Sequence, residues 1–163
     1  MKGVLVRLRD TSDIESSVAV WRAASCARRG GKPVSAERET KVRSSLQKSD
    51  SFLLVADDEG EVVGMALGMQ GLAGDGTGPP VLGLCFVSMV FVAPDHWGKG
   101  LGGSILDAVL SEARSRGYAR AELWTHADNL RAQRLYEGRG FRRSGREMAN
   151  DGGESIVQYE RAL

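Results

Sequence analysis

Between Val90 and Gly103 the chain reads Val-Phe-Val-Ala-Pro-Asp-His-Trp-Gly-Lys-Gly-Leu-Gly-Gly, and no other stretch restricts the fold as much. A run of β-formers ends at a Pro-Asp turn, and four glycines within six positions then open a segment of helical periodicity. Gly98, Gly100, Gly102 and Gly103 are more than a tight connection requires. A glycine lets a ligand approach the main chain with no Cβ in the way. A helix start adds unpaired N–H groups and the positive end of the helix dipole. Strand, glycine loop and helix in this order make a site for a phosphate or pyrophosphate.

Two nucleotide-binding alternatives fail on spacing. Gly98, Gly100 and Gly103 match G-x-G-x-x-G, but five residues separate Val92 from Gly98, whereas the dinucleotide motif begins almost directly after its strand. Glu122, the nearest acid, falls near the start of the next strand, and too few βα units remain for a doubly wound sheet. Lys99 is followed by Gly and not by Ser or Thr, so the loop is not a Walker A loop.

The flanking pattern predicts alternating elements. Ser12-Asp-Ile-Glu15 has the form of a capping box, and Ile14, Val18 and Trp21 continue it as a helix over 13–24. A second helix follows Ser35, with Val42 and Leu46 as its apolar stripe. Residues 51–56 and 61–69 read as strands around an Asp57–Gly60 turn, and a Gly/Pro loop over 71–80 leads into an apolar run ending at Val92. That run has no helical period and reads as a strand buried on both faces. A helix over 102–116 presents Ile105, Leu106, Val109, Leu110 and Ala113 on one face and stops at Gly117. A strand over 119–125, a helix opened by Asn129, and strands over 141–144 and 155–160 complete the chain. The class is α/β or α+β, a central mixed sheet flanked by helices.

Composition excludes several functions. Among 163 residues, 22 Lys+Arg against 21 Asp+Glu leave a net charge of +1, so there is no footprint for nucleic acid or an anionic membrane. The apolar run from Val81 to Val92 is shorter than the roughly 20 residues a spanning helix needs. No secretory leader is visible, and Cys26 and Cys85 form neither a disulfide framework nor a metal-ligand spacing. The expectation is one soluble cytoplasmic domain over 1–163, with no metal, membrane or nucleic-acid partner.

The glycine stretch resembles motif A of the GNAT superfamily, the acyl-CoA-dependent N-acetyltransferases. Trp97-Gly-Lys-Gly-Leu-Gly102 after Val92-Ala-Pro94 stands where the family has Arg/Gln-x-x-Gly-x-Gly/Ala. Asn129, Ala132, Leu135-Tyr-Glu137 and Gly140-Phe141 are similar to the family's second signature. The resemblance is sharp from Leu84 to Arg142 and implies acetyl-CoA as co-substrate, an amine acceptor and, at family level, a homodimer. It implies that Val90, Phe91 and Val92 hydrogen-bond the pantetheine arm as a further strand would. Gly98, Lys99, Gly100, Leu101, Gly102 and Gly103 would cradle the pyrophosphate through their amides, Asn129 would contact the cofactor, and Tyr136 would be the general acid. Lys99 or Arg131 would meet the 3′-phosphate of coenzyme A. Trp97 departs from the family's Arg or Gln, which implies a weaker or differently shaped cofactor site. It also leaves open an acyl-CoA-binding sensor without turnover.

Acyl transfer to an amine needs a neutral amine, a stabilised oxyanion and a proton for the leaving thiolate. A backbone N–H of the strand ending at Val92 suits the oxyanion, and Tyr136 suits the thiolate. No carboxylate base stands on that strand; Ser88 is its only polar side chain, and His126 after the next strand is the other candidate. Neutralising a lysine-like amine of pKa about 10.4 at pH 7.4 costs roughly 4 kcal/mol, against about 0.5 for an α-amine near 7.8. The acceptor is therefore expected to carry a low-pKa amine, on a small molecule such as a metabolite or amine antibiotic, or on a peptide or protein N-terminus. Trp21 and the loops over 26–32 and 71–80 are the expected walls of its pocket.

Overall fold

The computed structural model describes residues 3–163, apart from the Asp75 side chain. In chain order the elements are β1 (Leu5–Leu8), α1 (Asp13–Arg28), α2 (Ala36–Leu46), β2 (Phe52–Asp58) and β3 (Glu61–Leu72). A one-turn helix α3 (Ala73–Gly76) precedes β4 (Pro80–Val92), and a 3₁₀ turn (Pro94–His96) leads to α4 (Leu101–Ser115). Then come β5 (Arg120–His126), α5 (Leu130–Glu137), β6 (Arg142–Ala149) and β7 (Ser155–Ala162). Among the described residues seven strands form one mixed sheet in the order β1-β2-β3-β4-β5-β7-β6, in which only β4 and β5 run parallel.

Both faces of the sheet are covered. Leu54, Ala66 and Val87 face one core with Ile105, Leu106, Val109 and Leu110 of α4, joined by Tyr136, Phe141 and Tyr159. Leu53, Val55, Met65 and Leu67 face the other, under Val18 and Trp21 of α1 and Leu46 of α2. Each such Leu or Ile contributes about 1.5–3 kcal/mol of burial. The helix ends follow local chemistry. Ser35 Oγ accepts from Arg38 N at 3.2 Å to start α2. Gly117, at φ +90°, closes α4 with a Schellman pair, Tyr118 N to Ala113 O and Gly117 N to Arg114 O, each 3.0 Å.

Three expectations need correction, and one strand was not foreseen. The Ser12 capping box does not form: the Ser12 side chain caps nothing and bonds to Asp10 instead, while Glu15 pairs with Arg43 at 2.7 Å. The unforeseen β1 ties the start of α1 to the sheet, because Arg7 joins buried Asp13 at 2.7 Å to Asp57 of β2 at 3.1 Å. The 71–80 loop is mostly structure, with β3 running to Leu72, α3 following it and β4 starting at Pro80. The strand buried on both faces is only the middle of β4; Leu82, at 98% exposure, lies on a projecting end.

Candidate active site

β4 and β5 pair over three residues only, Leu84–Phe86 with Arg120–Glu122. Beyond them β4 stays with β3 and β5 stays with β7, so a gap opens between the two strands. A bulge lies at its mouth: Met89 faces Leu67 and Val87 faces Gly68, leaving Ser88 without a partner residue. Ala93 N donates to Val63 O at 2.8 Å, which fixes the phase of the ladder. By strand alternation the main-chain groups of Phe91 turn to Met65, and those of Val90 and Val92 turn into the gap. Phe91 is thus corrected from a main-chain contact of the cleft to a ring lining it. The Val92 carbonyl is already engaged, accepting from Trp97 Nε1 at 2.7 Å. The Arg131 guanidinium lies 5.7 Å from the Trp97 ring centre.

The glycine loop meets the requirements of an anion site. Gly98 and Gly100 hold φ +80° and +78°, and Gly100 serves as the N-cap of α4. Among the described residues the amides from 98 to 103 have no hydrogen-bond acceptor; the first to donate is Ser104, to Gly100 O at 3.2 Å. No acidic residue stands in the first turn of α4. A Cβ at Gly100 would meet nothing within 4 Å, so the loop faces open space. These residues fit a diphosphate-bearing cofactor such as coenzyme A.

Two cavities flank the gap. One, of about 590 Å³, runs along Val90–Val92, Trp97, the glycine loop and the Arg131 end of α5. The other, of about 640 Å³, lies under α1 and α2 and is closed by Thr125, His126 and the β6–β7 turn. Arg28, Val90, Phe91, Asn129, Ala132 and Tyr136 line both. Tyr136 packs edge-on against Phe141, and burial pushes its phenol up to about 12, so it keeps its proton at neutral pH.

The remaining expected residues divide. Asn129 Oδ1 accepts from Ala132 N at 3.2 Å, so its carbonyl caps α5. Ser88 lines the second cavity from the bulge. His126 also faces that cavity, with Nε2 3.3 Å from Arg28 Nη2 and 3.5 Å from Glu154 Oε1. Burial works to raise the Glu154 carboxyl, but His126, Asn150 and Arg28 together hold it below the usual carboxylate range. Gly98, Gly100, Leu101, Gly102, Gly103 and Arg131 line the first cavity, whereas the Lys99 side chain is exposed and does not. The acceptor-side walls also differ: Trp21, Arg28 and Arg29 contribute, no residue of 71–80 does, and α2 and Asn150–Gly152 stand there instead. Sequence reasoning placed Arg28 in a pocket wall only as part of the 26–32 loop, and it missed Arg38. For Arg28 the signal was present, since Trp21, Ser25 and Arg28 share one helix face at i, i+4 and i+7.

Known proteins agree with this architecture. The family model described as "Acetyltransferase (GNAT) family" matches residues 18–141. A mycothiol acetyltransferase of Stackebrandtia nassauensis is 36% identical over 85 residues, 52% of this chain and 27% of that protein. The chain therefore spans well under half of that curated relative. The ribosomal-protein-S18-alanine N-acetyltransferase of Escherichia coli superposes with a TM-score of 0.74 at 22% identity, over 98% of this chain and 94% of that one. The PaiA N-acetyltransferase of Thermoplasma acidophilum, solved in complex with coenzyme A, gives 0.70 at 16% identity, over 99% and 100%. At such identities the structures establish the fold, while the family match reaches across three quarters of the sequence, glycine loop included. The chain belongs to the GNAT family of acetyltransferases.

Proposed function

We propose that the protein moves the acetyl group of acetyl-CoA to a primary amine of a small molecule, by direct attack within a ternary complex. The carrying observation is the meeting of two cavities, one floored by free loop amides and one under α1 and α2, at Tyr136 and the open edge of β4. The bound co-substrate supplies an activated thioester. The amides from 98 to 103 and the Arg131 guanidinium would hold its diphosphate. The Val90 N–H, turned into the gap, polarises the acyl carbonyl from a fixed position. Tyr136 gives its proton to the departing sulfur as the N–C bond forms and the C–S bond breaks. The proton shed by the amine leaves through water, because no carboxylate of β4 stands beside it.

Calorimetric titration with acetyl-CoA, using NADH as the control ligand, tests the cofactor site. Micromolar acetyl-CoA binding with none for NADH is the expected result, and absence of acetyl-CoA binding overturns the reading. Tyr136→Phe is expected to lower turnover at least about 100-fold while the acetyl-CoA Kd stays within about threefold. Undiminished turnover removes Tyr136 from the chemistry.

A further inference from the structure

From the cations around the second cavity we infer that the acceptor is an α-amino acid, recognised through a carboxylate next to the reacting amine. This rests on the acetyltransferase reading and names its substrate class. Arg28, Arg29, Arg38 and Lys41 line that cavity against the carboxylates of Glu37 and Asp151. Both carboxylates lie near Lys41, at 3.7 and 3.6 Å. Arg29 is turned to the Pro33 carbonyl at 3.0 Å. The Arg38 guanidinium has no hydrogen-bond or ion-pair partner among the described residues. Among the described residues Arg28 reaches only His126 at 3.3 Å and, across 3.6 Å, Glu154. Most of its five donors remain for a ligand.

Position decides which group of the ligand each cation meets. Arg28 lines both cavities beside Val90 and Tyr136, where the acyl group changes hands, so an anion held by it sits close to the nucleophile. Arg38, on α2, belongs to the second cavity alone. A guanidinium binds a planar carboxylate through two parallel N–H bonds, which fixes orientation as well as charge. An amine one carbon away then points at the gap. The same cations disfavour an ammonium in the cavity and so favour the neutral amine, which fits a site with no carboxylate on β4. A peptide N-terminus lacks the adjacent carboxylate, and a simple polyamine adds positive charge where positive charge is already in excess.

The test uses the full chain with deuterated acetyl-CoA and three acceptor pools read by mass spectrometry: the L-α-amino acids, their α-amides, and simple monoamines and polyamines. The acid pool is expected to be acetylated at least tenfold faster than either other pool. Arg28→Ala is expected to raise KM for the preferred acid at least tenfold with a smaller change in kcat, collapsing the acid-over-amide preference. Arg28→Lys should restore part of it, and Arg38→Ala should shift KM in the same direction. Titrating the CoA-loaded protein with the N-acetyl-amino acid against its amide reads recognition without turnover and is expected to favour the acid. Amides or amines acetylated as fast as acids overturn the inference while the acetyltransferase reading stands. So does an Arg28→Ala variant that lowers acid and amide rates equally. Acetylation of no pool overturns it too, and the acetyl-CoA titration then decides whether the acetyltransferase reading falls with it.

Discussion

At Trp97 a single indole stands where the resemblance led one to expect a cation or an amide. It is 40% exposed, its Nε1 donates to the Val92 carbonyl, and its ring lies beside the Arg131 guanidinium. A cofactor amide that pairs with that carbonyl competes with the indole for it. Trp97→Phe keeps an aromatic ring beside Arg131 and removes the donor. One net hydrogen bond is worth about 1 kcal/mol, so this variant is expected to bind acetyl-CoA about fivefold more tightly by calorimetry. Unchanged or weaker binding would mean that the indole acts as part of the cradle and not as a competitor. The sequence disclosed Trp97 as a departure but not its hydrogen bond, because which carbonyls of β4 are free depends on the phase of the β3–β4 ladder. Asn129 was visible in the sequence as the start of a helix, and the structure gives its Oδ1 that duty.

Among the elements, α4 and its loop were the most legible. Their glycines and five apolar residues obey local rules, and the structure shifts the helix by a single residue at each end. The strand β1 was not legible. Four residues carry too little alternation to be distinguished, and it is held by Arg7 reaching Asp57, fifty positions away. The length of β4 was readable but the bulge at Ser88 was not, since it is set by pairing with Gly68 and Leu67. The glycine loop supports a sharp prediction. Gly100 sits at φ +78° with open space around a would-be Cβ, so Gly100→Ala meets no clash but does meet backbone strain of about 1–2 kcal/mol. The expected outcome is a melting temperature lowered by a few degrees and an acetyl-CoA affinity lowered at least fivefold, because the strain is relieved by moving the amides that face the anion.

Over the whole molecule, burial of groups that ionise in base sets an alkaline limit. Tyr136 is pushed up from 10.0 to about 12, and Cys85, on the fully covered part of β4, from 9.0 to about 12, both mainly by burial. The folded chain therefore holds these protons more tightly than the unfolded chain does. Their contribution is complete below pH 9, starts to fall as the unfolded groups ionise, and is lost by about pH 12. A tenfold change in an acid's ionisation constant is worth about 1.4 kcal/mol, so thermal melts should show a loss of a few kcal/mol between pH 9 and 12. Tyr136→Phe should flatten the upper part of that loss, and an unaltered pH profile would contradict the assignment. The short β4–β5 pairing has a mechanical meaning as well. Four strands on one side and three on the other are welded along the sheet by three residue pairs, Leu84–Phe86 with Arg120–Glu122. A ligand laid along the open part of that seam acts as a rivet, so amides of β4 and β5 outside the weld should exchange with deuterium more slowly once acetyl-CoA is bound, while β1 and β6 at the rims keep their rates.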